Sequence, residues 1–252
     1  MNAKPNLGPS YERMCYEFGG RFIYLSAIGS WNYGCANEKS DTDTKGIYVP
    51  SIVDIVSGDI DKNIEFSFPN EEYCQVMTVG NFCKQLKKGN PNVLEMLFSN
   101  YIYINPDYHE LMVQLREHRE DIATCCPDTT VRAMMGMAIR NYKLAISPHR
   151  QDSYSNKWMY SLARIEECLD KYVQGKPYAE CLKTDKRDLL LAIKDGAHQN
   201  PMYADQLITR CERHEELYNF THPYGYKDNE IIKFQIDNLC VEIYRHSLKE
   251  EI

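Results

Sequence analysis

The sequence predicts an α+β protein, a small sheet-bearing unit followed by a helical one. Two observations carry that expectation. Short apolar runs bounded by turn residues crowd the first hundred of the 252 residues. From about residue 78 the apolar period lengthens, and after residue 105 nearly every segment has helical spacing. The expected division is therefore 1–105 and 106–252.

Each element follows from its local pattern. "RFIYLSAIG" (21–29) is an apolar run ending in glycine, a buried strand. "SWNYGCANEKS" (30–40) reads as a short helix or turn, then a loop. "DTDTKGIYVP" (41–50) alternates, with Asp41, Asp43 and Lys45 on one side, and reads as a second strand. "IEFSFP" (64–69) and "YCQVMTV" (73–79) are further strand candidates. "TVGNFCKQLKKG" (78–89) and "PNVLEMLFS" (91–99) read as helices, with Gly89 ending one and Pro91 in the first turn of the next. The later helices are expected at 107–123, 128–146, 155–175, 185–197, 201–217 and 228–250. In the third of these, Trp158, Leu162, Ile165, Leu169 and Tyr172 form one apolar face.

Composition narrows the function classes. The net charge of −7 lowers the expectation of a dedicated nucleic-acid binder, which needs a basic footprint. Ten cysteines include no CxxC pair, and seven histidines show no HExxH or HxxxH spacing, so neither zinc binding nor zinc hydrolysis is supported. Reduced thiols, a polar N-terminus and no apolar run near the ~20 residues of a membrane span together suggest a cytoplasmic protein.

One stretch looks chosen for chemistry, "AIGSWNYGCANEKSDTDTKGIYVP" (27–50). On a strand, Asp41 and Asp43 point the same way with their Cβ atoms ~7 Å apart. Such carboxylates repel unless solvent or a cation compensates. Oxygen-only pairs suit Mg²⁺ or Mn²⁺ held together with substrate phosphates. Gly29 lets backbone approach a phosphate, and the Ser30 hydroxyl can hold its oxygens. "SDTD" also fits an Asx turn, so spacing alone leaves both readings open. Lys45 is placed either to neutralise charge or to pair with Asp43. Lys157, Ser161 and Arg164 share one helix face, either a phosphate-reaching face or a solvated one. "KQLKKG" (84–89) and "RNYKLAISPHR" (140–150) are the basic runs available to an RNA acceptor.

The same residues resemble the nucleotidyltransferase signature of the DNA polymerase beta superfamily. Within it they are most similar to the predicted bacterial and phage nucleotidyltransferases of the RNA-repair-pathway type. The resemblance rests on Gly29, Ser30, Tyr33 and Gly34; on Ser40, Asp41, Asp43, Lys45 and Gly46; and on "GNPNVLE", Gly89 to Glu95. It implies a mixed β-sheet with flanking helices, followed by a helical domain closing the nucleotide cleft. It implies a nucleoside triphosphate substrate, Mg²⁺ or Mn²⁺ on Asp41 and Asp43, and transfer of a nucleoside monophosphate with release of pyrophosphate. The acceptor is an RNA end, a protein hydroxyl or a small molecule. Gly29, Ser30, Tyr33, Lys45, Lys157, Ser161 and Arg164 become the nucleotide-binding candidates. Superfamily members carry a third carboxylate on a neighbouring strand. Here that position falls near Tyr73, with Glu65, Glu71 and Glu72 close by, and Glu72 is the chosen candidate. The alternative is a catalytically weak or inactive nucleotide sensor on the same fold, in a toxin–antitoxin or phage-defence role. Asn90 and Glu95 are expected to be structural, Asn90 as a helix cap.

Overall fold

A computed structural model describes residues 4–37, 40–58, 60, 63–69, 72–147, 153–197 and 200–250, with residues 153–155 and 249–250 described by backbone alone. The chain forms an α+β fold whose contacts divide it into two compact units. The first is Met1–Asn32, Ala36–Cys125 and Asn229–Ile252; the second is Tyr33–Cys35 and Cys126–Asp228. No helix among the described residues is long and apolar enough to cross a membrane.

In chain order the elements begin with α1 (Gly8–Phe18), β1 (Phe22–Ala27), α2 (Ser30–Tyr33), β2 (Thr44–Tyr48), α3 (Ile52–Ser57) and β3 (Asn63–Ser67). There follow β4 (Tyr73–Thr78), α4 (Val79–Leu86), α5 (Pro91–Phe98), β5 (Ile102–Ile104), α6 (His109–Glu117) and α7 (Arg119–Ala123). The remainder is helical, with α8 (Pro127–Ala145), α9 (Ser153–Val173), α10 (Tyr178–Leu182), α11 (Arg187–Lys194), α12 (Pro201–Thr221) and α13 (Glu230–Glu250).

The first unit is built on a five-stranded sheet in the order β3-β4-β2-β1-β5, counted among the described residues. Only β2 and β4 run parallel, so the sheet is mixed. Strands β1 and β2 are buried along their whole length, while edge strand β3 alternates exposed and half-buried. One face is closed by α1. Met14 and Phe18 from that helix pack on Phe22, Leu25, Tyr48, Cys74 and Val76. Gly46 makes this approach close, because a Cβ there would lie 2.7 Å from the Met14 Cε. On the opposite face Tyr24 reaches α5, its hydroxyl donating to the Met96 carbonyl at 2.7 Å. Helix α13 joins this unit by packing along α4.

Three features of the first unit depart from the sequence reading. Helix α1 occupies a segment read only as polar; Pro9 opens it, and Met14 and Phe18, one turn apart, supply its buried stripe. Helix α3 was equally unforeseen; a capping box between Ser51 and Asp54 starts it, and Gly58 ends it in the left-handed region. Strand β2 begins at Thr44, so Asp41 and Asp43 precede it rather than lying within it. Side chains take over the ladder there: the Thr42 N–H goes to the Glu72 carboxylate and the Tyr73 N–H to that of Asp43.

The second unit centres on α9, which packs against α8, α10, α11 and α12. Its predicted apolar face is largely realised, with Leu162, Ile165, Leu169 and Tyr172 buried and Trp158 half-buried. The same helix also buries Glu166 and Glu167, which find charged or polar partners.

Candidate active site

The carboxylate pair stands where the loop from α2 enters β2. Asp41 is exposed, and its carboxylate has no hydrogen-bond or ion-pair partner among the described residues. Asp43 is half-buried and accepts the Tyr73 N–H on Oδ1 at 3.3 Å. The neighbouring Tyr73 records the local potential. Burial, and then Asp43, Glu95, Glu65 and Asp41, hold its hydroxyl well above the ordinary tyrosine range. Four carboxylates thus act on one phenol, and Tyr73 occupies the position on β4 where a third carboxylate was sought. Glu72 lies one residue earlier, with its Oε1 accepting the Thr42 N–H at 3.0 Å. That bond ties the pair's backbone to the start of β4. Glu65 lies on edge strand β3, exposed, and accepts from Gln75 Nε2 at 3.2 Å. Glu71 lies outside the described residues.

The Gly29–Ser30 turn is held from below. Gly29 has φ +77°, a region that costs L side chains ~1–2 kcal/mol. Its N–H donates to Glu95 Oε1 at 2.6 Å, and the same oxygen accepts Asn32 Nδ2 at 2.9 Å. Glu95 is buried on α5, so the glycine turn is bolted to the "GNPNVLE" helix by a carboxylate. Asn90 caps that helix as expected, its side chain accepting the Asn92 N–H. The Ser30 hydroxyl has no hydrogen-bond partner among the described residues. Trp31 closes the loop by donating Nε1–H to the Asp41 carbonyl at 2.8 Å, with its ring edge-on to Tyr101. Lys45 is buried, and its ammonium donates to the Asn92 carbonyl at 2.8 Å.

The remaining candidates belong to the second unit. The Arg164 guanidinium sits 3.9 Å from the Tyr33 ring centre, a cation–π contact that fixes both side chains. Ser161 is half-buried and Lys157 exposed, and neither has a hydrogen bond or ion pair among the described residues. Of the basic runs, Lys87 is paired with Asp237, and residues 148–150 lie outside the described residues.

The carboxylate pair fits a divalent cation of the Mg²⁺ or Mn²⁺ kind. Among the described residues no group of three histidine, cysteine or acidic side chains is arranged to hold a metal alone. Two carboxylates, one of them without a protein partner, match the way such ions bind, with water and substrate phosphate completing the shell. Glu95 is structural, as the sequence reading expects, and its task is to hold the glycine turn. Its burial could not be seen without the turn it anchors, which lies 66 residues away.

No curated protein matches the chain. A family model described as the RNA repair pathway DNA polymerase beta family matches residues 10–167. The match takes in the glycine turn, the carboxylate pair, the Glu95 helix and the Lys157–Arg164 face. With more than half of its length matched, the chain belongs to the RNA repair pathway DNA polymerase beta family.

Proposed function

We propose that this protein is a nucleotidyltransferase that moves a nucleoside monophosphate from a nucleoside triphosphate to an acceptor hydroxyl. The observation that carries the reading is the Asp41/Asp43 pair beside a positive-φ Gly29–Ser30 turn, with the Asp41 carboxylate and the Ser30 hydroxyl both without protein partners among the described residues. Asp41 and Asp43 would hold Mg²⁺ or Mn²⁺, which supplies charge neutralisation to the phosphates when bound. Gly29 and Ser30 grip the β and γ phosphates. Lys45 adds a buried positive charge on the sheet. Within the second unit, Lys157, Ser161 and Arg164 share one face of α9, and Arg164 holds Tyr33. The acceptor oxygen attacks the α-phosphorus, the bond to the bridging oxygen breaks, pyrophosphate carries away that electron pair, and the acceptor proton passes to solvent. Tyr73 keeps its proton at neutral pH, so it is not the base. Glu72 acts through the Thr42 amide, as a positioning residue for the pair. The family's description favours an RNA end as acceptor over a protein hydroxyl or a small molecule.

A second reading, a nucleotide sensor without transfer, is favoured by one observation. No third acidic side chain joins the pair in a metal-holding group among the described residues. One experiment separates the two. The protein is incubated with α-labelled nucleoside triphosphates, Mg²⁺ or Mn²⁺ and RNA, protein and small-molecule acceptors, beside an Asp41→Asn/Asp43→Asn variant. Label on an acceptor that disappears in the variant supports the enzyme. Nucleotide binding with no label transferred to any acceptor supports the sensor.

A further inference from the structure

On the face of the sheet that carries Lys45 lies a cavity of about 380 Å³, within the roughly 300–1,000 Å³ range of small-molecule sites. It belongs wholly to the first unit. Its wall is a chain of side-chain amides. Asn90 Nδ2 donates to Gln85 Oε1 at 3.0 Å, Gln85 Nε2 to Asn81 Oδ1 at 3.3 Å, and Asn81 Nδ2 to Asn63 Oδ1 at 3.0 Å. The direction of this chain is fixed by the main chain, because the Asn90 oxygen accepts the Asn92 N–H at 3.1 Å. Each middle amide therefore keeps one N–H and one lone pair to offer, and the terminal Asn63 keeps its whole NH₂ at the exposed rim.

This lining selects a ligand chemistry. Lys45 and Glu65 add one charge of each sign to the lining, the Lys45 ammonium donating to the Asn92 carbonyl and the Glu65 carboxylate accepting from Gln75 Nε2, so the alternating amide donors and acceptors match a ligand with both along its edge. Met77 and Val93 add buried apolar surface beside the amides. A flat heteroaromatic ring with a mixed polar edge meets both demands, and amide side chains read nucleobase edges in this way.

Sheet order says which base. Gly29 and Ser30 follow β1, on one side of β2, while the cavity lies over β4 and β3 on the other. Its floor includes Lys45, two residues on from Asp43, which stands just ahead of β2. In-line displacement puts the attacking oxygen opposite the leaving pyrophosphate. With the phosphates on the β1 side, the acceptor enters from the β4 side. We propose that the Asn63–Asn81–Gln85–Asn90 cavity binds the terminal nucleobase of a nucleic-acid acceptor, a proposal that rests on the nucleotidyltransferase reading for its orientation.

The test is equilibrium binding, without metal or nucleotide, of a 5′-fluorescein tetraadenylate with a free 3′-hydroxyl. Wild type is compared with Asn63→Ala/Gln85→Ala, with Asn63→Trp, which fills the cavity from an exposed edge strand, and with Asp41→Asn/Asp43→Asn. The expected result is that both cavity variants bind the oligonucleotide about tenfold or more weakly with Mg²⁺–ATP affinity unchanged, the double variant melting lower because Asn81 and Asn90 lose their amide partners. Removing the 3′-terminal base should cost as much, which distinguishes base from backbone recognition. No binding to wild type, undiminished binding by both cavity variants, or equal weakening of oligonucleotide and Mg²⁺–ATP would overturn the proposal. If Asp41→Asn/Asp43→Asn keeps full Mg²⁺–ATP affinity, the metal-site reading fails instead, whatever the oligonucleotide does.

Discussion

Gly29 and Glu95 show how single residues position this site. A Cβ at Gly29 meets nothing within 4 Å, so Gly29→Ala carries the cost of its backbone conformation alone. It should lower stability by ~1–2 kcal/mol in urea denaturation and weaken nucleotide binding, since the turn relaxes away from φ +77°. Glu95 offers a graded test. Glu95→Gln keeps an acceptor for the Gly29 N–H and should cost ~1 kcal/mol, whereas Glu95→Ala leaves that donor unmatched and should cost ~1–3 kcal/mol, both read by the same denaturation. The need for glycine at the turn was legible in the sequence, because a Gly-Ser pair after an apolar run invites a close phosphate approach. The role of Glu95 was not, because a buried carboxylate on an apolar helix declares its partner only in three dimensions.

Among the elements, α9 carries the clearest electrostatic consequence. Glu166 is buried on it and faces Lys186, Arg210 and His214, while His214 also faces Asp170. Burial pushes the Glu166 carboxyl up, but His214, Lys186 and Arg210 outweigh it and hold the group below the usual carboxylate range. The folded state thus binds this proton more weakly than the unfolded state. The stability it contributes is complete above the unfolded value of ~4.3 and is lost as pH falls through the lower folded value. Glu166→Gln should therefore destabilise by ~1–3 kcal/mol at neutral pH, and the gap to wild type should close in strong acid, as followed by denaturation at both pH values. The apolar stripe of this helix was legible from 4 and 3 spacing. Its charged core was not, since Lys186, Arg210 and His214 arrive from later segments. Strand β2 gives the complementary lesson. Alternation placed Asp41 and Asp43 on a strand, yet the ladder starts at Thr44, because side-chain carboxylates bond the backbone ahead of it.

At the scale of the whole molecule, the α+β class and the order of sheet then helices were legible, because a change of hydrophobic period needs no distant partner. That α13 packs in the unit with the sheet was not, since its contacts with α4 join residues far apart in the chain. Ile232, Ile236, Leu239 and Ile243 of α13 are buried. At ~1.5–3 kcal/mol each, they rival the ~5–15 kcal/mol that holds a typical domain. Ending the chain at residue 228 should therefore unfold the first unit, seen as loss of its strand signal in circular dichroism. The central claim is that Asp41 and Asp43 hold a divalent cation together with a nucleoside triphosphate. It is tested most directly by the electron paramagnetic resonance of Mn²⁺ titrated with protein in the presence of a triphosphate bearing a non-cleavable α,β-methylene bridge. Loss of the free Mn²⁺ signal with wild type, and about hundredfold weaker uptake by a folded Asp41→Asn/Asp43→Asn variant, is the predicted result. Equal uptake of the Mn²⁺–nucleotide complex by that variant would contradict it.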